Sequence, residues 1–488
     1  MTRGGDAESA YVWRGQFVVG RDLPDLGELG LEKRRIASYD LWTSAELPVV
    51  DSGVVTIIGQ AATLSGKTLT EHFSTISFES DVHTVAELGL DLVGRFVLLA
   101  ALREGVAVFP DVMASRRVFL SEEGAIASSS EVLLQRLGAS ARPIPDVARG
   151  LLDNPKVIAR QYATYGIHSP VTGYRRLLPN RVANLATGVT SLCSPTTERR
   201  RVSVPDVSRT LRAVASALGR LGDLEIGLTS GFDSRFILAA LAAEGVDANT
   251  FTYVDGGAMR QFDADIARKV ADALGFRHEE IPHPEPDDDI IDLLRASQAI
   301  VRPVPHMISQ LTALRRRQGR RITVSGAGGE IARTRYATLP NWLGPSVLRR
   351  ILLGHDPAPH DSMGFDEWWD DRFGETGPDT WLEVESLHYW EQRVPIWGAQ
   401  YVAEKDLFGA EVSGFACGRL QQELISFPLY RRAAAFNCRL YSEIIEEVSP
   451  RTAQLPPVRH PPLVERLHDL TPLLRLVRTL RPGWDSHS

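Results

Sequence analysis

The chain has little cysteine: Cys193, Cys417 and Cys438 are its three thiols in 488 residues. They lie far apart and fit neither a disulfide framework nor a zinc spacing, so reduced thiols and a cytoplasmic setting are expected. Long apolar runs are also missing. No window approaches the roughly 18 apolar residues that a membrane-spanning helix needs. The first 30 residues carry Arg3, Asp6, Glu8, Arg14, Arg21 and Asp22 with no continuous apolar stretch, which argues against a secretory leader of the usual design. There is no basic tract interleaved with aromatics. The net charge of −7 and a pI near 6.0 argue against nucleic acid or an anionic membrane as the main partner. The densest basic cluster, Arg315, Arg316, Arg317, Arg320 and Arg321, falls at a predicted helix end, where cations suit the dipole.

The most informative stretch is residues 224–235, Leu-Glu-Ile-Gly-Leu-Thr-Ser-Gly-Phe-Asp-Ser-Arg. A short apolar strand runs into a small-residue turn, Thr229-Ser230-Gly231, followed by Asp233 and Ser234. Phe236, Ile237, Ala240 and Leu241 then share one face of a predicted helix. A strand, a tight turn and a helix N-terminus form a phosphate-binding geometry, because the first helical N–H groups have no internal acceptor and the dipole favours an anion. Asp233 would repel a bare phosphate; it makes sense if it carries a metal ion that bridges phosphate oxygens. The other common phosphate loop needs a Gly-Lys-Ser/Thr ending, and no lysine lies near this turn. The alternative is a plain loop before a helix capped by Asp233 or Ser234. A second glycine-rich turn, Ser325-Gly326-Ala327-Gly328-Gly329-Glu330, follows the predicted strand Ile322 to Ser325.

These two turns resemble the nucleotide loops of the asparagine synthetase family, Ser-Gly-Gly-x-Asp-Ser and Ser-Gly-x-Gly-x-Asp-Glu. The resemblance implies that Leu228, Thr229, Ser230, Gly231, Asp233, Ser234, Ser325 and Gly326 hold ATP and its pyrophosphate. It also implies that Asp233 and Glu330 share Mg2+, with Glu330 standing where the family has Asp. The strand edge at Thr252 and Tyr253 would meet the adenine. Asp263 would either pair near the nucleotide or cap a helix. Arg439 stands near the family's catalytic lysine; an Arg there keeps charge but supplies no base. Tyr389, Arg393 and Trp397 fall in a helix pattern seen in relatives, and Glu383, Glu385 and Glu391 are neighbouring acids that could face a cleft. His278 reads as a surface imidazole.

Residues 1–140 read mainly as strands and turns, and the first domain, 1–195 with its connector, resembles the family's N-terminal glutaminase, an Ntn-hydrolase-like αββα sandwich. The family's nucleophilic cysteine after Met is replaced by Thr2, so a degenerate, structural domain is expected. Prolines punctuate a connector over 145–200. Residues 200–488 alternate strand and amphipathic helix up to Ser325, which argues for a doubly wound parallel sheet of the ATP-pyrophosphatase type. A mostly helical extension with no clear strand alternation is expected over 345–460, and a terminal helix over Leu467 to Leu480. The function implied is an ATP-dependent amide-forming ligase of specialised metabolism. It would adenylate a small-molecule or peptide carboxylate and join it to an amine without glutamine hydrolysis, ring closure within one substrate being one form. A homodimer is an open expectation for its assembly. The rival readings are a degenerate nucleotide-binding scaffold and a tRNA sulfur-transfer enzyme.

Overall fold

The computed structural model describes residues 12–121, 126–138, 165–169, 171, 173–193, 199–255, 258–302, 304–317, 321–333, 344–353, 359–374, 382–432 and 439–451. Thr2, Cys438 and the terminal helix expected from Leu467 to Leu480 lie outside these residues.

Period-two alternation in the first half builds two antiparallel sheets of six strands. Strands are numbered in chain order. The first sheet runs, in space, β10 (Tyr174–Arg176), β8 (Phe119–Ser121), β9 (Ile126–Ser128), β1 (Phe17–Gly20), β3 (Tyr39–Ser44) and β2 (Leu31–Ile36). The second runs β12 (Thr190–Leu192), β11 (Arg181–Asn184), β7 (Gly105–Pro110), β6 (Leu92–Leu102), β5 (Val55–Thr63) and β4 (Val49–Asp51). The sheets meet through a shared core: Phe17, Val19 and Leu41 from one, Ile58, Val97 and Leu99 from the other. The alternate residues Ile57, Phe96 and Leu98 face outward onto Phe73 and onto Val85 of the helix Val82–Gly89. Fully burying each such side chain contributes about 1.5–3 kcal/mol. Strands β2 and β3, rich in charge at Lys33, Arg34, Arg35 and Asp40, were not expected from the sequence.

The second half carries a five-stranded parallel sheet in the order β15 (Arg277–Pro282), β14 (Ala248–Val254), β13 (Leu224–Gly227), β16 (Ile322–Ser325), β17 (Ala410–Ser413). The helix Val204–Gly219 shows why the pattern folds. Ser203 and Asp206 form a reciprocal capping box, Pro205 sits in its first turn, and Val207, Leu211, Val214 and Leu218 make one buried stripe. One face of the sheet is apolar, with Leu224, Ile226, Ile322, Val324 and Val412 in the main core. The other face is polar: the Thr323 hydroxyl donates to Glu225 at 2.9 Å, and Lys405 pairs with Glu411. That second pair explains a correction. The region expected to be mostly helical, with no clear strand alternation, contains β17, a four-residue strand whose buried Glu411 breaks any apolar signature.

The two halves interlock. The Gly94 N–H donates to the Ala416 carbonyl at 3.1 Å, and the Arg419 N–H to the Leu90 carbonyl at 2.9 Å. Arg95 grips Asp406 through two contacts of 2.5 and 2.8 Å, both side chains buried. Val93 and Met113 of the first half belong to the core cluster of the second. Cys193 and Cys417 are free and buried, and burial pushes their thiols up to about 11 and about 12. Among the described residues, no helix is long and apolar enough to cross a membrane.

Candidate active site

The order in which successive strands are added reverses between β13 and β16, and crevices for ligands open at the carboxyl ends of parallel strands at such a point. Both glycine-containing turns leave the sheet at that point. The first turn enters the helix Phe232–Ala243 with Gly231 as its N-cap, and no side chain caps it. Capping by Asp233 or Ser234 is therefore excluded. The Ser234 hydroxyl instead accepts the Thr229 N–H at 3.3 Å, and the Thr229 hydroxyl accepts the Gly231 N–H at 3.2 Å. Ser230 turns to Asp263, donating its hydroxyl at 2.5 Å. Asp263 thus anchors the turn from within the helix Ala258–Leu274 and caps nothing.

The second turn is held by its carbonyls. Ala327 accepts from Ser413, Gly328 from the Gln421 amide at 3.2 Å, and Gly329 from the Tyr441 hydroxyl at 2.9 Å. It lies directly on the first turn. A Cβ on Gly326 would come within 2.8 Å of the Asp233 Cβ, and one on Gly329 would collide with the Asp233 carboxylate. Gly328 has a φ of +86°, which disfavours any other residue.

The two predicted metal acids converge on one cation. Arg333, at the end of the short helix Gly329–Arg333, donates to Asp233 from Nη2 at 2.6 Å and from Nε at 3.2 Å. The same Nη2 lies 3.7 Å from Glu330 Oε1. Burial raises the Asp233 carboxyl, and nearby Glu330 adds to this while Arg333 opposes it, leaving Asp233 at about 6. Two carboxylates are a donor set that Mg2+ accepts when phosphates and water fill its other positions. The guanidinium already between them marks the place as one that takes positive charge. The residues therefore fit the ion. No cluster of three or more His, Cys, Asp or Glu that could cage a metal exists among the described residues.

A cavity of about 320 Å3 opens beside these turns. Gly227, Thr229, Gly231, Asp233, Ser234, Ser325, Gly326 and Glu330 line it, all but Gly227 foreseen from sequence. Of the remaining lining, Tyr389 and Trp397 were singled out from the sequence; Arg95, Met113, Ser115 and Val394 were not. Arg95, Met113 and Ser115 come from the strand-rich half. Tyr389, Val394, Trp397 and Gly398 come from a ten-residue π-helical stretch, Tyr389–Gly398, that contains Pro395. Wide π turns tolerate a residue without an N–H and recur at functional sites.

Other predicted residues lie apart from the cavity. Leu228 is buried behind the turn, and its carbonyl accepts the Thr252 hydroxyl at 2.6 Å. Thr252 and Tyr253 do not line the cavity; Tyr253 packs on Phe251 and His283, and burial pushes its phenol up to about 12. His278 is half-buried between the hydroxyls of Thr250 and Thr252, not a surface group. Glu391 is buried beneath Arg181, Arg372, Asn180 and Trp368; burial raises it, but the cations and donors outweigh this and hold it below the usual range. Glu383 pairs with Arg432, and neither it nor Glu385 reaches the cavity wall. Arg393 stacks over Trp397. Arg439 is 77% exposed and bound to Glu443 at 2.8 Å. Its helix, Arg439–Val448, reaches the site through Tyr441 instead. Three residues of the basic cluster are ion-paired: Arg315 binds Asp287 and Asp289, Arg316 binds Asp287, and Arg317 binds Glu225 and Glu279.

Arg333 carried a sequence signal that went unread: a basic residue three positions after an acid on one helix. Met113 carried none.

No family model and no curated protein matches the chain. Among solved structures it is similar to a glutamine phosphoribosylpyrophosphate amidotransferase from B. subtilis complexed with ADP and GMP. The identity is 9% and the TM-score 0.20, over 67% of this chain and 73% of that one. At that score the function has to be read from this chain's own residues.

Proposed function

We propose that the chain is an asparagine-synthetase-like ligase that adenylates a carboxylate at the expense of ATP and joins it to an amine, without glutamine hydrolysis. On this reading residues 1–195 are a degenerate Ntn-type sandwich and residues 200–488 the synthetase domain. One observation carries it: two acidic turns from adjacent parallel strands meet at the switch point, on a shared cation, at the edge of a cavity.

The chemistry follows from the parts. The uncapped N-terminus of Phe232–Ala243 offers N–H groups to the β- and γ-phosphates, with Gly231 allowing close approach. Asp233 and Glu330 would hold Mg2+, which supplies charge neutralisation for the leaving pyrophosphate. The substrate carboxylate oxygen bonds to the α-phosphorus, and the bond from that phosphorus to the pyrophosphate oxygen breaks. The amine nitrogen then bonds to the acyl carbon, AMP departs, and the amine loses a proton. Met113, Tyr389, Val394 and Trp397 give the far wall an apolar character suited to the acyl part of the acid. Enclosing the acyl group there keeps water from the activated carbonyl.

The test is α-labelled ATP incubated with a panel of carboxylic acids and amines. AMP and pyrophosphate are the expected products, and Asp233→Asn is expected to abolish them while leaving the far-ultraviolet circular dichroism unchanged. ADP as product would indicate a kinase. Nucleotide binding without any cleavage would leave the scaffold reading.

A further inference from the structure

A second cavity, of about 60 Å3, abuts the large one. Three pairs of consecutive residues divide between the two. Arg95 lines the large cavity and Phe96 the small one; Met113 lines the large and Val112 the small; Tyr389 lines the large and Trp390 the small. The partition is therefore one residue thick at three places. Two of these places are tied together, because the Trp390 indole N–H donates to the Val112 carbonyl at 2.7 Å. Leu90, Phe96, Leu98 and Phe109, all buried, give the small cavity apolar walls. Its charged groups already have partners. Asp111 accepts from the N–H groups of Met113, Ser115 and Arg116 and from the Ser115 hydroxyl, and Arg181 pairs with Asp371 and Glu391. A polar guest would lose its water there for little in return, whereas apolar matter loses nothing.

We propose that the acid activated in the large cavity carries an aliphatic chain whose end lodges in the small cavity, so that the two chambers together measure its length. This deepens the ligase reading of the preceding section and rests on it for the carboxylate end. The apolar wall of Met113, Tyr389, Val394 and Trp397 leads a chain from the reacting end to the partition. Met113 is the part of the partition that can yield. Its unbranched side chain turns about three bonds and adapts to its neighbours. It rests against Gly328, which has no side chain to hold it in place. Trp390, by contrast, is pinned by its hydrogen bond. A chain that passes beside Met113 exchanges water for the walls of the small cavity. Each methylene buried there tightens binding about fourfold. A short acid leaves that cavity unfilled and forgoes the gain.

The first readout needs no catalysis. Bromine on the last carbon of an acid quenches the fluorescence of a tryptophan that it touches. Terminally brominated dodecanoate, added to the full-length protein, is expected to quench a component of the wild-type fluorescence that Trp390→Phe lacks. Terminally brominated propanoate, too short to leave the large cavity, is expected to quench only what both proteins share. Ala86, on the helix Val82–Gly89, also lines the small cavity. Ala86→Phe fills that cavity and is expected to remove the same component. No quenching, or equal quenching in all three proteins, overturns the proposal. The second readout is AMP formation with straight-chain acids from propanoate to hexadecanoate. In the wild type, kcat/KM is expected to rise about fourfold for each methylene that enters the small cavity. Ala86→Phe is expected to lower it for the long acids by about tenfold more than for propanoate. Leu98→Ala enlarges the cavity, is expected to move the optimum to longer acids, and carries the test if Ala86→Phe does not fold. Equal losses at every chain length overturn the measuring role. If the chain end quenches Trp390 but no acid yields AMP, the ligase reading falls and the chain site stands. If acids yield AMP without that quenching, only the chain site falls.

Discussion

At the scale of single residues, burial decides what each charge can do. His388 sits among the rings of Tyr165, Phe365 and Trp368, and burial, helped by Arg393, pushes its imidazole down to about 3. In the folded protein it stays neutral at pH 5, whereas the unfolded chain takes up a proton below about 6.5. The unfolded state therefore gains as pH falls: stability at this site is complete above that value and is lost progressively below it. From pH 7.5 to pH 5 the loss is about 2 kcal/mol. His388→Phe should be spared it, which urea unfolding of both proteins at the two pH values will measure. A variant that loses as much as the wild type would show that the ring is hydrated. Asp233 and Glu330 could be read from the sequence because each follows a small-residue turn after an apolar strand. The contact of Arg333 with Asp233 could not be read that way, because the two lie a hundred positions apart.

At the scale of elements, the helices and strands between Val204 and Ser325 followed from periodicity, since helices such as Val204–Gly219 bury an apolar stripe, Phe232–Ala243 is buried all round, and each strand is short and bounded by turns. Two kinds of element did not. Strands such as β2 and β17 place charge where a pattern search looks for apolar residues, and their polar side chains are offset by partners on a neighbouring segment, as Glu411 is by Lys405. The π-helical stretch is buried over most of its circumference and widens its turns, and no residue pattern announces that. How the two nucleotide turns press on each other gives a prediction at this scale. Gly326→Ala would push a methyl group to 2.8 Å from the Asp233 Cβ and 3.0 Å from the Ser234 nitrogen, so the turns must separate. We expect kcat/KM for AMP formation to drop on the order of a hundredfold, with a stability loss of about 1–3 kcal/mol. Gly344→Ala, where a Cβ meets nothing within 4 Å, is the control and should change neither. Equal losses in both variants would mean that the contact between the turns is not what matters.

At the scale of the molecule, shared apolar packing around Val93 and Met113 and buried ion pairs, Arg95 with Asp406 and Arg181 with Glu391, join the two halves. Arg95 and Asp406 are 2% and 7% exposed, and Arg95 also donates to the Ser115 carbonyl at 3.0 Å. Arg95→Met keeps the length of the side chain but strands a buried carboxylate, at a cost of about 3–5 kcal/mol. Urea unfolding should show the midpoint falling for both halves together. A loss confined to one half, or no loss, would mean that the junction is held mainly by its apolar contacts. The division near residue 200 was legible as a change of period, but the depth of the junction was not, because its contacts join positions about 300 apart. Met113 stands at that junction with its sulfur against Gly328. Shearing away the strand-rich half would therefore breach the cavity, because Arg95, Met113 and Ser115 would leave its lining. Those three positions can be recut to reshape the chamber while both glycine-rich turns stay as they are.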